Sequence, residues 1–284
     1  MNHRSRRSSA SAALRPLSGV PLLETLVAGW RPLQRLDADG FAILRSRGIT
    51  RRAHSILALD VPTDPAALEA ALDRVETLVA MTGEEPVHRI LDDHAPALEE
   101  MLAARGREPA GHSEIWELPL TGARLPQPDP AAVIATGALD EDWFEAAFRL
   151  APREGDHARA TLHDILAGTP AIQLRLHAEG SAVAAGRAAL VEAGKRSTAV
   201  LNMLAVDPEH RRHGLGRALS STLLALAQVQ GASRALLEVE AENTPARALY
   251  RDLGFRRIAG YHYLVRDASP PGSGPAIRAA AAST

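Results

Sequence analysis

The sequence predicts an α/β (α+β) protein made of two mixed-sheet domains in tandem. At 284 residues and 46% hydrophobic content, the chain exceeds the usual size of one domain. The stretch LPQPDP holds three prolines in six positions, which is typical of an extended linker. The same order of strands and helices recurs on both sides of it. We therefore expect domains at 20–125 and 131–266, a linker at 126–130, and disordered tails at 1–19 and 267–284.

Composition excludes several classes of function. The formal net charge of −2 gives no reason to expect nucleic acid as a partner, and the absence of cysteine removes disulfides and thiolate metal sites. No apolar run is long enough to span a membrane, so we expect a cytoplasmic protein. The basic, serine-rich start of the chain lacks the apolar core of a secretory signal. It is interpreted as a disordered tail, with a targeting or nucleic-acid arm as the alternative.

The N-terminal domain is predicted to begin with a hairpin of two short strands joined through Arg47-Gly48. Asp64-Pro65 then starts a helix whose leucines and valines recur on one face. The predicted elements in order are GFAILRS, RRAHSILAL, the helix after Asp64-Pro65, PVHRIL, the helix after Pro96, and HSEIWELPL.

The C-terminal domain repeats this order after two extra helices. Thr244 is predicted to cap a late helix that has Pro245 at its first position, and Gly231 to end the long helix before it. The predicted elements are helices in DEDWFEAAFRL and DHARATLHDILAG, strands near 171–177, 181–191 and 198–206, a helix at 214–230, the strand RALLEVEAEN, the helix TPARALYRDLGF and the strand RRIAGYHYLVR.

A glycine turn flanked by positive charge distinguishes the two halves. In the C-terminal half, a strand leads through DPEHRRHGLGR into a long amphipathic helix. Free amides at the start of a helix and nearby cations suit a phosphate group. The matching connection in the N-terminal half, DVPTDPAAL, has two acidic residues and no glycine. We therefore expect one phosphate site per chain, although a solvated basic helix start is the simpler alternative.

Two patterns in the C-terminal half resemble the GNAT superfamily of N-acetyltransferases. The first, Arg-x-x-Gly-x-Gly, is met by Arg211, Gly214 and Gly216, and the second is L-E-V-x-x-x-N-x-x-A-x-x-L-Y-x-x-x-G-F. The second is met by Leu237, Glu238, Val239, Asn243, Ala246, Leu249, Tyr250, Gly254 and Phe255. Trp30 and GFAILRSRGITRRAHSI are similar to the decayed first copy of two-domain bacterial members. The resemblance implies two GNAT-like domains, the C-terminal one complete.

The resemblance implies acetyl-CoA as cosubstrate and assigns residues to it. The pyrophosphate is expected on the turn formed by Arg211, Arg212, His213, Gly214, Leu215, Gly216 and Arg217. Pantetheine is expected along Leu204, Ala205 and Val206, where one N–H would face the thioester oxygen. Asn243 would hold pantetheine or a water, or would serve only as a helix-entry residue.

The catalytic roles implied are an acid and a base. Tyr250 is expected to deliver a proton to the leaving sulfur, and Glu238 is the leading base, with Glu240 projecting on the same side of its strand. Either carboxylate could instead be paired to an arginine. The RRAHS segment, with His54 where the subgroup has asparagine, is interpreted as structural.

Other sites are not supported by the sequence. A P-loop, the dinucleotide motif and a G-x-S-x-G turn are missing, and the histidines at 210 and 213 lack further ligands, so no metal is expected. The acceptor is expected to be the primary amine of a small molecule or a peptide, bound against Trp143 and the first helices of the C-terminal domain. A non-catalytic acyl-CoA sensor is the alternative, and superfamily members often form homodimers.

Overall fold

A computed structural model describes residues 15–193 and 196–266. The predicted tails therefore lie largely outside the described residues. One mixed sheet of 11 strands runs through the described molecule, in the order β1-β2-β3-β4-β11-β5-β10-β9-β8-β7-β6. The strands are β1 Gln34–Ala38, β2 Phe41–Arg45, β3 Ile56–Ala58, β4 His88–Leu91, β5 Glu108–Pro119, β6 Val133–Gly137, β7 Ala171–Ala178, β8 Ser181–Ala193, β9 Arg196–Val206, β10 Ala232–Glu240 and β11 Arg256–Val265.

Seven α-helices pack on this sheet. They are α1 Gly19–Gly29, α2 Pro65–Ala80, α3 Pro96–Ala104, α4 Glu141–Leu150, α5 Ala158–Ala167, α6 Leu215–Val229 and α7 Thr244–Asp252. The apolar stripe predicted for α2 is buried at Leu68, Leu72, Val75 and Val79, and the side chain of Asp64 accepts a hydrogen bond from the Ala67 N–H. The described helices include none that is both long and apolar enough to cross a membrane.

The two halves of the chain exchange strands at the centre of the sheet. β5, from the N-terminal half, pairs with β10, so that Ile115 faces Glu238 in the register. β11, from the C-terminal half, pairs with both β5 and β4, and Tyr261 lies opposite Leu91 in β4. Hydrogen bonding is therefore continuous from one half to the other, and side chains from residues 50–90 come to lie beside β10 and β11.

Three elements differ from the sequence prediction because their sequences lack the expected periodicity. α1 begins at Gly19, inside the predicted tail, and nearly all of its residues are apolar. β1 and β6 are short outer strands with mostly exposed side chains, so no alternation marks them. The mixed α/β fold class is confirmed, since the strand and helix order of both halves recurs within one large mixed sheet.

Candidate active site

The site is organised by a gap between β9 and β10. The parallel pairing of these strands ends at Leu201 and Leu237. Two residues further on, Met203 has a φ of 53°, and the β8–β9 register skips one residue there, which defines a β-bulge. Beyond the last pair the two strands have no hydrogen bonds to each other, so they leave an open edge on each side.

The open edge of β9 presents free backbone groups. The Asp207 N–H donates to the Val183 carbonyl of β8 at 2.8 Å, and Ala205 is in register with Ala185. Because backbone groups alternate along an antiparallel strand, Ala205 also turns toward β8, whereas Leu204 and Val206 turn toward the gap. An extended amide chain placed in the gap would thus find the backbone of Leu204 and the N–H of Val206, whose carbonyl accepts from Arg211.

The glycine turn lies at the open end of this gap. Gly214 is the N-cap of α6 and has a φ of 79°, and Arg212 has a φ of 67°. Within the described part of the chain, the N–H groups of residues 212–216 have no acceptor. A Cβ on Gly216 would lie 3.4 Å from Leu249, so a larger residue would press on α7. Five free amides at a helix start form a concave donor surface suited to a diphosphate.

The charged side chains of the turn differ in their partners. Arg211 donates through Nε to the Val206 carbonyl at 3.3 Å. Arg217 forms an exposed ion pair with Asp252, with Nη2 and Oδ2 3.0 Å apart. Arg212 and His213 are exposed at the rim. The amides of the turn are therefore its main binding feature, with Arg211 and Arg212 as nearby cations that have no carboxylate partner among the described residues.

Tyr250 lies on α7, next to the gap. Its ring is 8% exposed and packs edge-on against Phe255, with ring centroids 5.9 Å apart, and Leu215 is partly buried in the same core. Its hydroxyl makes no hydrogen bond to any described residue. Burial raises the pKa of Tyr250 to about 12, against the opposing charge of Arg52. The phenol therefore stays protonated at neutral pH, as an acid must.

Glu238 is the first residue of β10 beyond the last β9 pair. Its side chain is 5% exposed and accepts a hydrogen bond from Arg89 at 2.5 Å, while Arg52 Nε lies 3.7 Å away. Burial alone would raise the pKa of Glu238, but the charges of Arg89 and Arg52 and a hydrogen bond from Tyr261 keep it below its ordinary value. Glu238 is therefore a buried carboxylate held ionised. Glu240, two residues on, is exposed.

Arg52 and Arg89 come from the N-terminal half, and sequence reasoning missed both. Arg52 lies in a short 3-10 turn, Arg51–Ala53, which is held by a hydrogen bond from Trp30 Nε1 to Thr50 Oγ1 at 3.0 Å. His54 in the same segment is structural, since its Nδ1 accepts N–H groups of the preceding loop. The adjacent Arg51 and Arg52 were the available sequence signal for this loop. Only the pairing of strands between the two halves shows that Arg52 reaches Glu238.

Two further expectations are corrected by the structure. Asn243, rather than Thr244, caps α7, because its Oδ1 accepts the Ala246 N–H at 3.1 Å. Its Nδ2 group makes no hydrogen bond to a described residue. Trp143 does not line a cleft: it is 1% exposed and donates to the Gly186 carbonyl at 3.0 Å. An indole N–H buried in the core needs such a partner.

Two surface hollows lie away from this gap, and the described residues contain no cluster of metal-binding side chains. Two surface hollows, of about 10 and 360 Å³, are lined by residues of the N-terminal half away from β9 and β10. In the described parts of the chain, no three histidine, aspartate or glutamate side chains come together as a metal site. The candidate site is the opened sheet edge between β9 and β10.

The geometry agrees with the comparisons to known proteins. The model of the Acetyltransferase (GNAT) family matches residues 137–255. A mycothiol acetyltransferase of Catenulispora acidiphila is 31% identical over 195 residues, covering 62% of this chain and 60% of the relative. A second, from Clavibacter michiganensis, is 28% identical over 244 residues, covering 78% of this chain and 79% of the relative. The chain thus spans less than two thirds of the length of the first relative.

Other similarities are shorter or concern the fold alone. The ribosomal protein bS18 alanine N-acetyltransferase of Escherichia coli is 47% identical over 57 residues, which is 20% of this chain and 38% of the relative. A GCN5-related N-acetyltransferase structure from Kribbella flavida has a TM-score of 0.67 at 20% identity, covering 89% of this chain and 96% of that one. A tandem GNAT protein from the clavulanic acid biosynthesis pathway has a TM-score of 0.62 at 15% identity, covering 89% and 90%.

A bulged strand beside a glycine turn, repeated halves and the family match together define an acyltransferase fold of the tandem type. Residues 137–255 match the acetyltransferase (GNAT) family, and the described fold is similar to GNAT structures. This confirms the resemblance drawn from the two sequence patterns.

Proposed function

We propose that the protein transfers the acetyl group of acetyl-CoA directly to the primary amine of a small molecule. The observation that carries this proposal is the gap between β9 and β10, with free amides at one end and Tyr250 and Glu238 near the other. A diphosphate on residues 212–216 leaves the pantetheine to run along the open edge of β9. Its thioester would then reach the end of the gap, beside Leu204.

The donor side is proposed to work through backbone groups. Arg211, Arg212 and Arg217 add positive charge around the phosphates, and Gly214 and Gly216 permit the close approach of the backbone. Leu204 and Val206 would pair with the amides of pantetheine, with Ala205 between them holding the strand on β8. The Leu204 N–H is nearest to the end of the gap and would donate to the thioester oxygen as negative charge develops.

The chemistry is proposed to need no covalent intermediate. The amine attacks the thioester carbon, the carbon–sulfur bond breaks, and the thiolate leaves toward Tyr250, whose hydroxyl donates to sulfur. Glu238 takes up the proton that the attacking amine releases, directly or through water. Because two arginines lower the pKa of Glu238, it is a weak base, and the neutral fraction of the substrate amine should control the rate at low pH.

The relatives that align with both halves of the chain support a small-molecule acceptor. The alignment with the Clavibacter mycothiol acetyltransferase covers 78% of this chain. The alignment with the ribosomal protein acetyltransferase covers 57 residues, too few to include both Arg52 and Glu238. Since the N-terminal half supplies arginines to the site, the relatives that share both halves are the better guide to the acceptor. A peptide amine is the second candidate.

The test is coenzyme A release from acetyl-CoA by the full chain, with a panel of small amines and of peptides with free α-amines. We expect release with small amines and little with peptides. Release with peptides alone would contradict the acceptor class. Calorimetric binding of acetyl-CoA without release for any amine would contradict catalysis and favour an acyl-CoA sensor.

A further inference from the structure

Two arginines from the N-terminal half, Arg52 and Arg89, lie against the single buried carboxylate of Glu238 on the acceptor side of the site. Arg89 is almost fully buried and pairs with Glu238, which neutralises both. Arg89 also stacks on the ring of Tyr261, with its guanidinium carbon 4.0 Å from the ring centroid. Because Arg89 already pairs with Glu238, this carboxylate does not balance the charge of a second cation nearby.

Arg52 is such a cation. It lies 3.7 Å from the already paired carboxylate of Glu238, and its Nε donates to the Tyr261 hydroxyl at 3.3 Å. Its Nη atoms form no hydrogen bond to any described residue. The side chain is 29% exposed, so a solute can reach it from outside.

Arg153 is a second cation on the same side. It lies in the loop between α4 and α5, and its Nη1 donates to the carbonyls of Ala151 and Pro152, each at 3.2 Å. Its Nε is buried without an acceptor, and no described carboxylate lies within 4.0 Å. Burial and the charge of Arg52 lower the pKa of Arg153, and only the more distant Glu240 opposes them.

Packing between the two halves brings these cations together. A Cβ on Gly155, in the α4–α5 loop, would lie 3.7 Å from Ile49 in the loop that carries Arg52. Arg47 of the same loop donates to Thr161 at 3.3 Å and lies 3.5 Å from Asp164, both in α5. Two guanidinium groups are thus held near each other without carboxylate partners for both, an arrangement that an anion would stabilise.

We propose that the acceptor substrate carries an anionic group, a carboxylate or a phosphate, which binds between Arg52 and Arg153. This inference rests on the proposed function for the position of the amine, at the end of the gap beside Glu238. The substrate class is therefore an amine with an attached acid, positioned by guanidinium groups from both halves. Bidentate contact with carboxylate or phosphate oxygens is the geometry that arginine provides.

The test measures binding of matched amines to the full chain saturated with coenzyme A, by calorimetry. The pairs are L-alanine with L-alaninamide, L-phenylalanine with its amide, and phosphoethanolamine with ethanolamine. We expect the anionic member of at least one pair to bind at least tenfold more tightly, and the amino acid and phosphate pairs distinguish the two sources of charge. Arg153→Gln should remove this preference, and Arg153→Lys should keep part of it, because lysine retains the charge but not the bidentate geometry.

The control variant is Arg159→Gln. It removes an exposed arginine of α5 that pairs with Glu145 of α4, and it should leave all affinities unchanged. Equal affinities within every pair, equal weakening of both members by Arg153→Gln, or no binding by any amine would each overturn the inference. Coenzyme A release is measured separately. Anion-selective binding without release contradicts the proposed function alone, whereas release without anion preference contradicts this inference alone.

Discussion

Replacing Tyr250 by phenylalanine removes the proposed acid while keeping the ring. With a pKa of about 12, this phenol is a weaker acid than a thiol of pKa about 8.5, so full proton transfer to a thiolate would be uphill by about 5 kcal/mol. Full proton transfer therefore costs more free energy than a hydrogen bond to the thiolate supplies. The main contribution of Tyr250 should be a hydrogen bond to the developing thiolate. Hydrogen bonds to charged groups contribute about 1.5–3 kcal/mol, which corresponds to a rate decrease of about 10- to 200-fold.

The assay is steady-state coenzyme A release with the best amine from the panel. Tyr250→Phe should lower kcat by this factor and leave the KM for acetyl-CoA nearly unchanged. The free energy of unfolding should change by less than about 1 kcal/mol, because the hydroxyl has no partner among the described residues. The matched control is Tyr263→Phe, the same chemical change at a buried tyrosine of β11. A decrease below threefold for Tyr250→Phe, or an equal decrease for the control, would refute the assignment.

Three further changes test other parts of the structure. Gly214→Ala should lower the free energy of unfolding by about 1–2 kcal/mol, because its φ is left-handed, and should weaken acetyl-CoA binding at least tenfold by calorimetry. Arg89→Met should cost about 3–5 kcal/mol in urea unfolding, because Glu238 loses its buried partner. Burial would raise the pKa of Glu76, but His88 and Arg107 lower it to about 2. This contributes about 3 kcal/mol above pH 4.5 that disappears as the pH falls toward 2, so Glu76→Gln should flatten the acid unfolding profile.

Matched controls separate local strain from the proposed roles. Gly180→Ala introduces the same methyl group at a φ of 83° in the β7–β8 turn, where nothing lies within 4 Å. It should lose similar stability without affecting acetyl-CoA binding, and equal weakening of binding would contradict the phosphate role of Gly214. Arg74→Met, in an exposed pair with Asp39, should cost less than about 1 kcal/mol. If Arg89→Met lowered the free energy of unfolding no more than Arg74→Met, the argument that a buried ion pair is costly to break would be contradicted. If Glu76→Gln left the acid unfolding profile unchanged, the role given to the lowered pKa of Glu76 would be contradicted.

Local sequence was sufficient for the donor side of the site. The turn at 211–217 and the start of α6 depend on residues within a few positions of one another, whereas the cap of α7 was predicted one residue too late. Glycine at 214 supplies a left-handed φ, and the helix after it follows from its apolar periodicity. The position of the bulge at Met203 was not predictable, because it depends on how β9 pairs with β8 and β10.

The acceptor side was decided by contacts between distant parts of the chain. Arg52 and Arg89 reach Glu238 only because β5 and β11 change partners between the halves, and strand pairing of this kind leaves no local signal. The same contacts pair Glu238 with two arginines, which weakens it as a base, and place Arg153 near Arg52.

By itself, then, the sequence determined the resemblance to the GNAT family, the glycine turn and most helices, since these follow from backbone conformation and side-chain periodicity within short segments. Only the tertiary structure decided which charges surround the acceptor, because electrostatic interactions depend on distance in space and on burial, and both are set by the exchange of strands across the sheet.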